Sequence, residues 1–131
     1  MEDYPRDIME FEARFKKINF VPKGSCVFTE HYSAVKADVK YDGDPTTDIN
    51  TGLVEPLKGT NDILIAGLAL SHCVGFTLRD IIAEFSEEQI KKIVLLTDAT
   101  ASVQGFEKQG EDFVNEFVAK GMRLSTTKNY F

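Results

Sequence analysis

One stretch of the chain, DILIAGLALSHCVGFTLRDI at positions 62–81, constrains the fold more than any other. Its apolar run at 63–66 is typical of a parallel strand that is covered on both faces. Gly67 ends that run and frees the backbone for a turn. Apolar residues then recur at helical spacing, at Val74, Leu78, Ile81 and Phe85. The stretch therefore predicts a buried strand, a tight turn and a helix that begins near Cys73.

Cys73 lies where that helix is expected to begin. Unpaired backbone N–H groups and the positive end of a helix dipole favour a thiolate at such a position, and a thiolate is a nucleophile. A free cysteine is also among the most commonly buried residue types, and a buried thiol is inert. The position alone leaves a nucleophilic thiol and a structural thiol as equal alternatives.

Upstream of this stretch the sequence predicts two helices and one strand. Apolar residues at steps of three and four predict an amphipathic helix over residues 5–17. Residues 19–22 are expected to form a short strand. A second helix, between residues 49 and 57, is expected to break near Pro56 and to end at Gly59.

Downstream, the same alternation of strand and helix continues. Ser86 and Gln89 have the spacing of a capping box, which predicts a further short turn. Residues 93–96 predict a second buried strand, and residues 122–126 predict a weaker one. A helix over residues 107–120 is expected to turn four apolar residues inward, namely Phe113, Val114, Phe117 and Val118. This order predicts a single α/β domain with a parallel sheet and right-handed crossovers.

Composition limits the classes of partner. The chain has 131 residues, of which 43% are hydrophobic, enough to bury a core in one domain. Its formal net charge of −6 without a basic cluster argues against nucleic acid and anionic membranes as partners. No apolar run approaches the roughly 20 residues that span a bilayer, and the acidic N-terminus differs from a signal peptide. We therefore expect a cytoplasmic protein, an organelle matrix being the alternative, with Cys26 and Cys73 as free thiols.

Several segments together resemble one known family. GLALSHCV at 67–74 resembles the nucleophile loop of the isochorismatase and nicotinamidase-like cysteine hydrolases. KGSCVFTEHYSAV at 23–35 is similar to that family's lysine-glycine stretch, which is followed at the same spacing by a tyrosine-serine-alanine segment. KIVLLTDATASV and FVNEFVAKGMRLSTT resemble the family's next strand, helix and final strand. Because these segments occur in the family's order over residues 20–127, the resemblance is more specific than any single motif.

The resemblance implies both a fold and an activity. The fold is a three-layer α/β domain of the Rossmann-like type, with a mostly parallel sheet and helices on both faces. The activity is hydrolysis of a C–N bond in a small amide, such as nicotinamide, through a thioacyl intermediate. Cys73 is then the nucleophile, and Lys23 is the cationic member of a catalytic triad.

The resemblance also implies an oxyanion hole and a substrate pocket. In the family a non-proline cis peptide precedes the nucleophile; here it would join Leu68 to Ala69. Backbone N–H groups of Ala69 and Cys73 would then face the developing oxyanion. Tyr32 and Leu68 match positions that line the substrate pocket, although Tyr32 also fits the description of an ordinary half-buried loop tyrosine.

The chain departs from the family pattern before Lys23. The family's catalytic aspartate and its metal ligands precede the lysine, whereas the residues before Lys23 contain no histidine and no apolar strand that ends in aspartate. We therefore expect no metal or other cofactor in this chain. His72 and His31 are weaker candidates for a cysteine–histidine pair, and Asp98 is more typical of a capping or salt-bridge residue than of a replacement acid.

The missing segment also has a structural consequence. The family's sheet resembles the order 3-2-1-4-5-6, and this chain carries only the last four strands in sequence. The strand at 63–66 is therefore expected to have a bare edge, which favours pairing with another strand. The chain is then part of a longer protein, or a homo-oligomer or partner chain completes the sheet, or the fold has been rebuilt. The alternative to an enzyme is an inactive remnant that acts as a structural or assembly subunit.

Overall fold

The structure is a computed structural model, and it describes residues 18–131. The helix that we predict over residues 5–17 lies outside the described residues. Three strands form one parallel sheet in the order β1-β2-β3. They are β1 at Ile63–Leu68, β2 at Ile93–Ala101 and β3 at Arg123–Ser125. The α/β class with a parallel sheet is therefore confirmed.

The helices alternate with the strands as the sequence predicts. They are α1 at Thr51–Lys58, α2 at Gly75–Ala83, α3 at Glu87–Ile90, α4 at Glu107–Ala119 and α5 at Thr127–Tyr130. A 3-10 turn at Pro45–Thr47 precedes α1, and a turn of π-helix at Leu70–Val74 precedes α2. No helix among the described residues combines the length and the apolar character needed to cross a membrane.

Of two helix signals in the sequence, one is confirmed and one is wrong. Ser86 and Gln89 form the predicted capping box at the start of α3, with both reciprocal hydrogen bonds present. The predicted break at Pro56 is wrong, because α1 continues to Lys58. A proline at this place removes a single backbone hydrogen bond near the end of a short helix, and the Asn50 side chain caps the other end.

The prediction of a strand at residues 19–22 is also wrong. The structure has no strand there, and Ile18 and Phe20 are largely exposed. A strand needs a neighbour that satisfies its backbone N–H and C=O groups. Within residues 18–131 no such neighbour is present at this segment, so its apolar side chains alone do not make it a strand.

Strand β2 is longer than the predicted 93–96. Its polar second half pairs with the end of β1, where Gly67 lies opposite Thr100 and Leu68 opposite Ala101. The register shifts between Ile65 and Gly67, and the Thr100 hydroxyl donates a hydrogen bond to the Gly67 carbonyl at 2.7 Å. The extension therefore depends on the partner strand, which the sequence of β2 alone does not reveal.

One main core lies between the sheet and the pair of helices α2 and α4, which contact each other. Leu78 from α2 and Phe117 from α4 are fully buried there, together with Ile93 and Leu95 of β2. On α4, Phe113 and Phe117 point inward as predicted, but Val118 is 42% exposed. Val118 is rotated by about 100° from Phe117 around the helix, which carries it away from the sheet.

The opposite face of the sheet is covered by the C-terminal turn. Residues alternate along β2, so Val94, Leu96 and Asp98 share this face. The backbone N–H and the hydroxyl of Thr127 donate hydrogen bonds to Asp98, and the Tyr130 hydroxyl donates to Asp62 at 2.6 Å. Helix α5 therefore lies across this face, which places helices on both faces of the sheet. Asp98 thus accepts two hydrogen bonds at the start of α5, whose N-cap residue is Thr126.

Strand β1 lies at the edge of the sheet. Among the described residues it pairs with β2 alone, and Leu64, Ala66 and Leu68 are exposed along it. Leu68 is 73% exposed. The expected bare edge is thus present within residues 18–131.

Candidate active site

Cys73 lies in the turn that joins β1 to α2, at the carboxyl end of the sheet. Ala69 precedes this turn with an extended backbone, and its carbonyl accepts hydrogen bonds from the N–H groups of His72 and Val74, both at 3.0 Å. The peptide bond between Leu68 and Ala69 is cis, as the family resemblance implied. The turn therefore holds a half-buried thiol where ligands bind in open parallel sheets.

Lys23 comes from a distant part of the sequence and reaches the same place. Its ammonium nitrogen Nζ lies 3.5 Å from Cys73 Sγ and donates a hydrogen bond to the His31 carbonyl at 2.8 Å. A positive charge at this distance can stabilise negative charge on sulfur. Within residues 18–131 no carboxylate forms an ion pair with Lys23.

The loop after Lys23 is anchored to the rest of the site. Asp38 N–H donates a hydrogen bond to the Glu30 carbonyl at 2.8 Å, which closes the loop around His31 and Tyr32. Ala34 N–H donates to the Thr77 hydroxyl on α2 at 3.0 Å. The carbonyl that receives Lys23 is therefore positioned by contacts to the same helix that follows Cys73.

His31 and His72 do not pair with the thiol. Among the described residues, no hydrogen bond joins either imidazole to Cys73. The His31 Nε2 atom is buried and has no hydrogen-bond partner among residues 18–131. Burial, and then the Lys23 ammonium, lower the pKa of His31 below its usual value of 6.5. A cysteine–histidine pair is therefore not formed in this structure.

Aromatic side chains from three chain segments gather around His72, the residue before Cys73. The Tyr32 ring lies 5.8 Å from the His72 ring and 5.7 Å from the Phe76 ring, and His72 meets Phe106 edge to face at 5.0 Å. We define Tyr32, His72 and Phe106 as the ring wall. Tyr32 is one of the predicted site residues, whereas His72 and Phe106 were not predicted as members of this wall. His72 and Phe76 lie one helical turn apart, which is a local signal, whereas Phe106 carries none.

A cavity of about 240 Å³ opens beside the thiol along the free edge of β1. It is mostly apolar and is lined by Ile65, Ala66, Leu68, Cys73, Val74, Thr77 and Leu78. A second cavity of about 400 Å³ lies on the side of Lys23 that faces His31 and the start of α1. The predicted residue Leu68 therefore borders the first cavity, together with the nucleophile.

The described residues offer no group of three or more histidine, cysteine, aspartate and glutamate side chains that could hold a metal ion. The structure brings together four of the predicted site residues directly around one turn, namely Cys73, Lys23, Leu68 and Ala69. Tyr32 joins them through the ring of His72.

Comparison with known proteins identifies the architecture. No family model and no curated protein sequence matches this chain. A solved structure of a nicotinamidase pyrazinamidease from Acinetobacter baumanii superposes with a TM-score of 0.52 at 19% sequence identity. The match covers 76% of this chain and 43% of that chain. The fold of this chain is therefore similar to part of that solved structure, and the chain spans less than half of its length.

Proposed function

We propose that this chain supplies the nucleophile and the cationic residue of a cysteine-dependent hydrolase that acts on the C–N bond of a small amide. The observation that carries the proposal is the contact of 3.5 Å between Lys23 Nζ and Cys73 Sγ. These residues are 50 positions apart in sequence, so tertiary structure alone brings them together. The similarity of the fold to that of a nicotinamidase supports the same function.

The reaction proposed uses the groups around the turn. The Cys73 thiol gives its proton to solvent water, and the Lys23 ammonium stabilises the thiolate that results, whose sulfur attacks the amide carbonyl carbon. The backbone N–H groups of Ala69 and Cys73 receive the oxyanion. The C–N bond then breaks to give a thioester on Cys73, and water hydrolyses it to a carboxylic acid and the free thiol. Tyr32 and Leu68 bound the substrate in this proposal.

The amine that leaves must gain a proton, and residues 18–131 place no carboxylic acid next to Lys23. We propose that a further strand, from a second copy or another polypeptide segment, pairs with the free edge of β1 and supplies this acid. A missing general acid typically lowers the rate by about 10²- to 10⁴-fold. Because the described residues do not fit a metal site, no step is assigned to a metal.

An activated aryl ester tests the part of the reaction that this chain can perform. A phenolate leaves without being protonated, so the missing acid does not limit acylation. We expect the 131-residue chain to acquire an acyl group on Cys73, detected by mass spectrometry of the intact protein and its peptides. Lys23→Gln should slow this acylation by about tenfold or more, because it removes the positive charge beside the sulfur.

Two controls accompany the experiment. Cys73→Ala should abolish acylation, whereas Cys26→Ala should leave it unchanged, because Cys26 is buried and 6% exposed. Equal acylation of Cys26 and Cys73, or an unchanged rate in Lys23→Gln, would contradict the proposed nucleophile. Nicotinamide hydrolysis by the same chain should remain slow, and ammonia release measures it.

The second candidate function is that of a non-catalytic assembly subunit. The exposed apolar edge of β1 favours it, because such an edge pairs readily with another strand. Rapid acylation of Cys73 that depends on Lys23 would argue against this candidate. A chain that binds a partner strand and shows no preferential acylation would support it.

A further inference from the structure

A separate set of contacts in the nucleophile turn centres on Ser71, which is fully buried. Its hydroxyl oxygen accepts a hydrogen bond from Val103 N–H at 2.9 Å and lies 2.8 Å from His72 Nδ1. Its carbonyl accepts a hydrogen bond from Gln109 Nε2 at 2.5 Å. Ser71 therefore joins the nucleophile turn to the loop before α4 and to α4 itself.

These contacts select one form of the His72 imidazole. The backbone N–H of Val103 can only donate, so the Ser71 oxygen accepts from it and keeps its own proton for another acceptor. Nδ1 of His72 is the acceptor within reach. If Nδ1 carried the proton instead, the Ser71 hydroxyl proton would lie buried without a partner, which is costly. The network therefore favours the neutral tautomer with the proton on Nε2.

The same network positions the neighbouring rings. Nδ1 and Nε2 are distinct ring positions, so with Nδ1 bound to the buried Ser71 the Nε2–H is available to another group. Phe106 N–H donates to the Val103 carbonyl at 2.8 Å, so the Ser71 contact to Val103 also anchors the segment that carries Phe106. One buried serine thus holds two members of the ring wall.

We propose that Ser71 is a positioning residue: it fixes His72 as the Nε2–H tautomer and holds the ring wall in one arrangement around His72, the residue before Cys73. The wall then offers one defined hydrogen-bond donor to a ligand that accepts a hydrogen bond, such as a carbonyl oxygen. This proposal is independent of the proposed hydrolysis, because it concerns hydrogen bonds within the folded chain.

The tautomer can be measured directly. Long-range ¹H–¹⁵N coupling spectra of histidine-labelled protein, recorded at mildly alkaline pH, distinguish a protonated ring nitrogen from a bare one. We expect His72 to show a protonated Nε2 and a bare Nδ1, with His31 assigned from the spectrum of His31→Gln. Ser71→Ala should give a mixture of tautomers, because the donor to Nδ1 is lost.

Ser102→Ala is the matched control. Ser102 neighbours Val103 in the same loop, and within residues 18–131 its hydroxyl takes part in no hydrogen bond. This variant should keep the wild-type tautomer. Amide hydrogen exchange gives the second readout: Val103 should exchange about tenfold faster in Ser71→Ala and at an unchanged rate in Ser102→Ala.

A protonated Nδ1 on His72 in the wild-type chain would overturn the proposal without any variant. An unchanged tautomer together with unchanged Val103 exchange in Ser71→Ala would overturn it as well. If Ser71→Ala fails to fold, the wild-type spectrum still tests the proposal, because it shows which ring nitrogen of His72 carries the proton. Absence of Cys73 acylation by the aryl ester, together with the expected His72 tautomer, would instead count against the proposed function alone.

Discussion

Lys23 makes two contacts that differ in what they require. The contact to the His31 carbonyl needs only the closed loop around it, whereas the contact to Cys73 Sγ also needs the turn after β1. The ammonium is therefore held at a junction between two chain segments. His31 contributes its backbone carbonyl to this junction, while its ring atom Nε2 is buried without a hydrogen-bond partner in the part of the chain that the structure describes.

His31 gives the stability of the chain a defined pH dependence. Burial and then Lys23 lower its pKa in the folded state, while Asp38 and Asp80 act in the opposite direction more weakly. The unfolded chain therefore binds a proton at higher pH than the folded chain does. The stability associated with neutral His31 is complete above its usual pKa of 6.5 and is lost as the pH falls below that value.

Urea unfolding at about pH 7.5 and about pH 5.5 measures this effect. We expect the free energy of unfolding to fall more between these conditions in the wild type than in His31→Gln. The variant keeps the backbone carbonyl that receives Lys23, so the difference reports the imidazole. Equal losses in the two proteins would show that His31 does not titrate differently on unfolding.

At the level of elements, α2 and α4 approach each other closely because glycine lies where they meet. Gly75 begins α2, and a side-chain carbon placed there would collide with the Phe113 ring and lie 2.6 Å from the Leu70 carbonyl oxygen. Gly110 on α4 faces the Ser102 side chain in the same way. The packing that carries the nucleophile turn thus leaves no room for a methyl group at these positions.

Gly75→Ala should lower the free energy of unfolding by about 1–3 kcal/mol, because the added methyl group overpacks this contact. Gly52→Ala in α1 is the matched control. There the nearest atom outside the neighbouring residues is Asn50 Oδ1 at 3.4 Å, and alanine favours the helix by up to about 1 kcal/mol. The free energy of unfolding, measured by chemical denaturation, should therefore fall in Gly75→Ala and rise in Gly52→Ala. An unchanged free energy of unfolding in Gly75→Ala would contradict the close packing.

At the scale of the whole molecule, an edge of the sheet is the surface expected to bind another chain. Its order β1-β2-β3 leaves β1 at one edge, with a cavity and the exposed Leu64 and Leu68 along it. The other edge, β3, is short and carries Arg123, whose guanidinium binds Asp62 at 2.6 Å. Charged side chains and short strands reduce edge pairing, so β1 is the edge expected to bind another strand.

Leu64→Lys should reduce association of the isolated chain. Leu64 is 37% exposed on β1, and a charge there opposes pairing of that edge. Leu124→Lys on β3 is the control, since Leu124 is 46% exposed on the opposite edge strand. Light scattering across a concentration series should show weaker association for Leu64→Lys and no change for Leu124→Lys. Equal association of all three proteins would place the contact elsewhere.

Local features of this chain could be predicted from its sequence. The apolar run at 63–66, the capping box at Ser86 and the inward pair Phe113 and Phe117 depend on side-chain periodicity or on hydrogen bonds between near neighbours. These interactions act over a few residues, so the pattern of residue types contains them. The family resemblance added the expected cis peptide and the two residues Cys73 and Lys23, which the residue pattern alone left open.

The tertiary structure decided the rest. Residues 18–22 form no strand, because a strand depends on a partner that local sequence does not specify. The end of β2 is extended by its pairing with Gly67 and Leu68. The contacts of Ser71 to Val103 and Gln109 join residues more than 30 positions apart. Sequence by itself indicated most of the helices and the first halves of β1 and β2, while strand pairing and the contacts between distant side chains required the whole chain to pack, since contacts between remote residues form only when the fold closes the intervening loop.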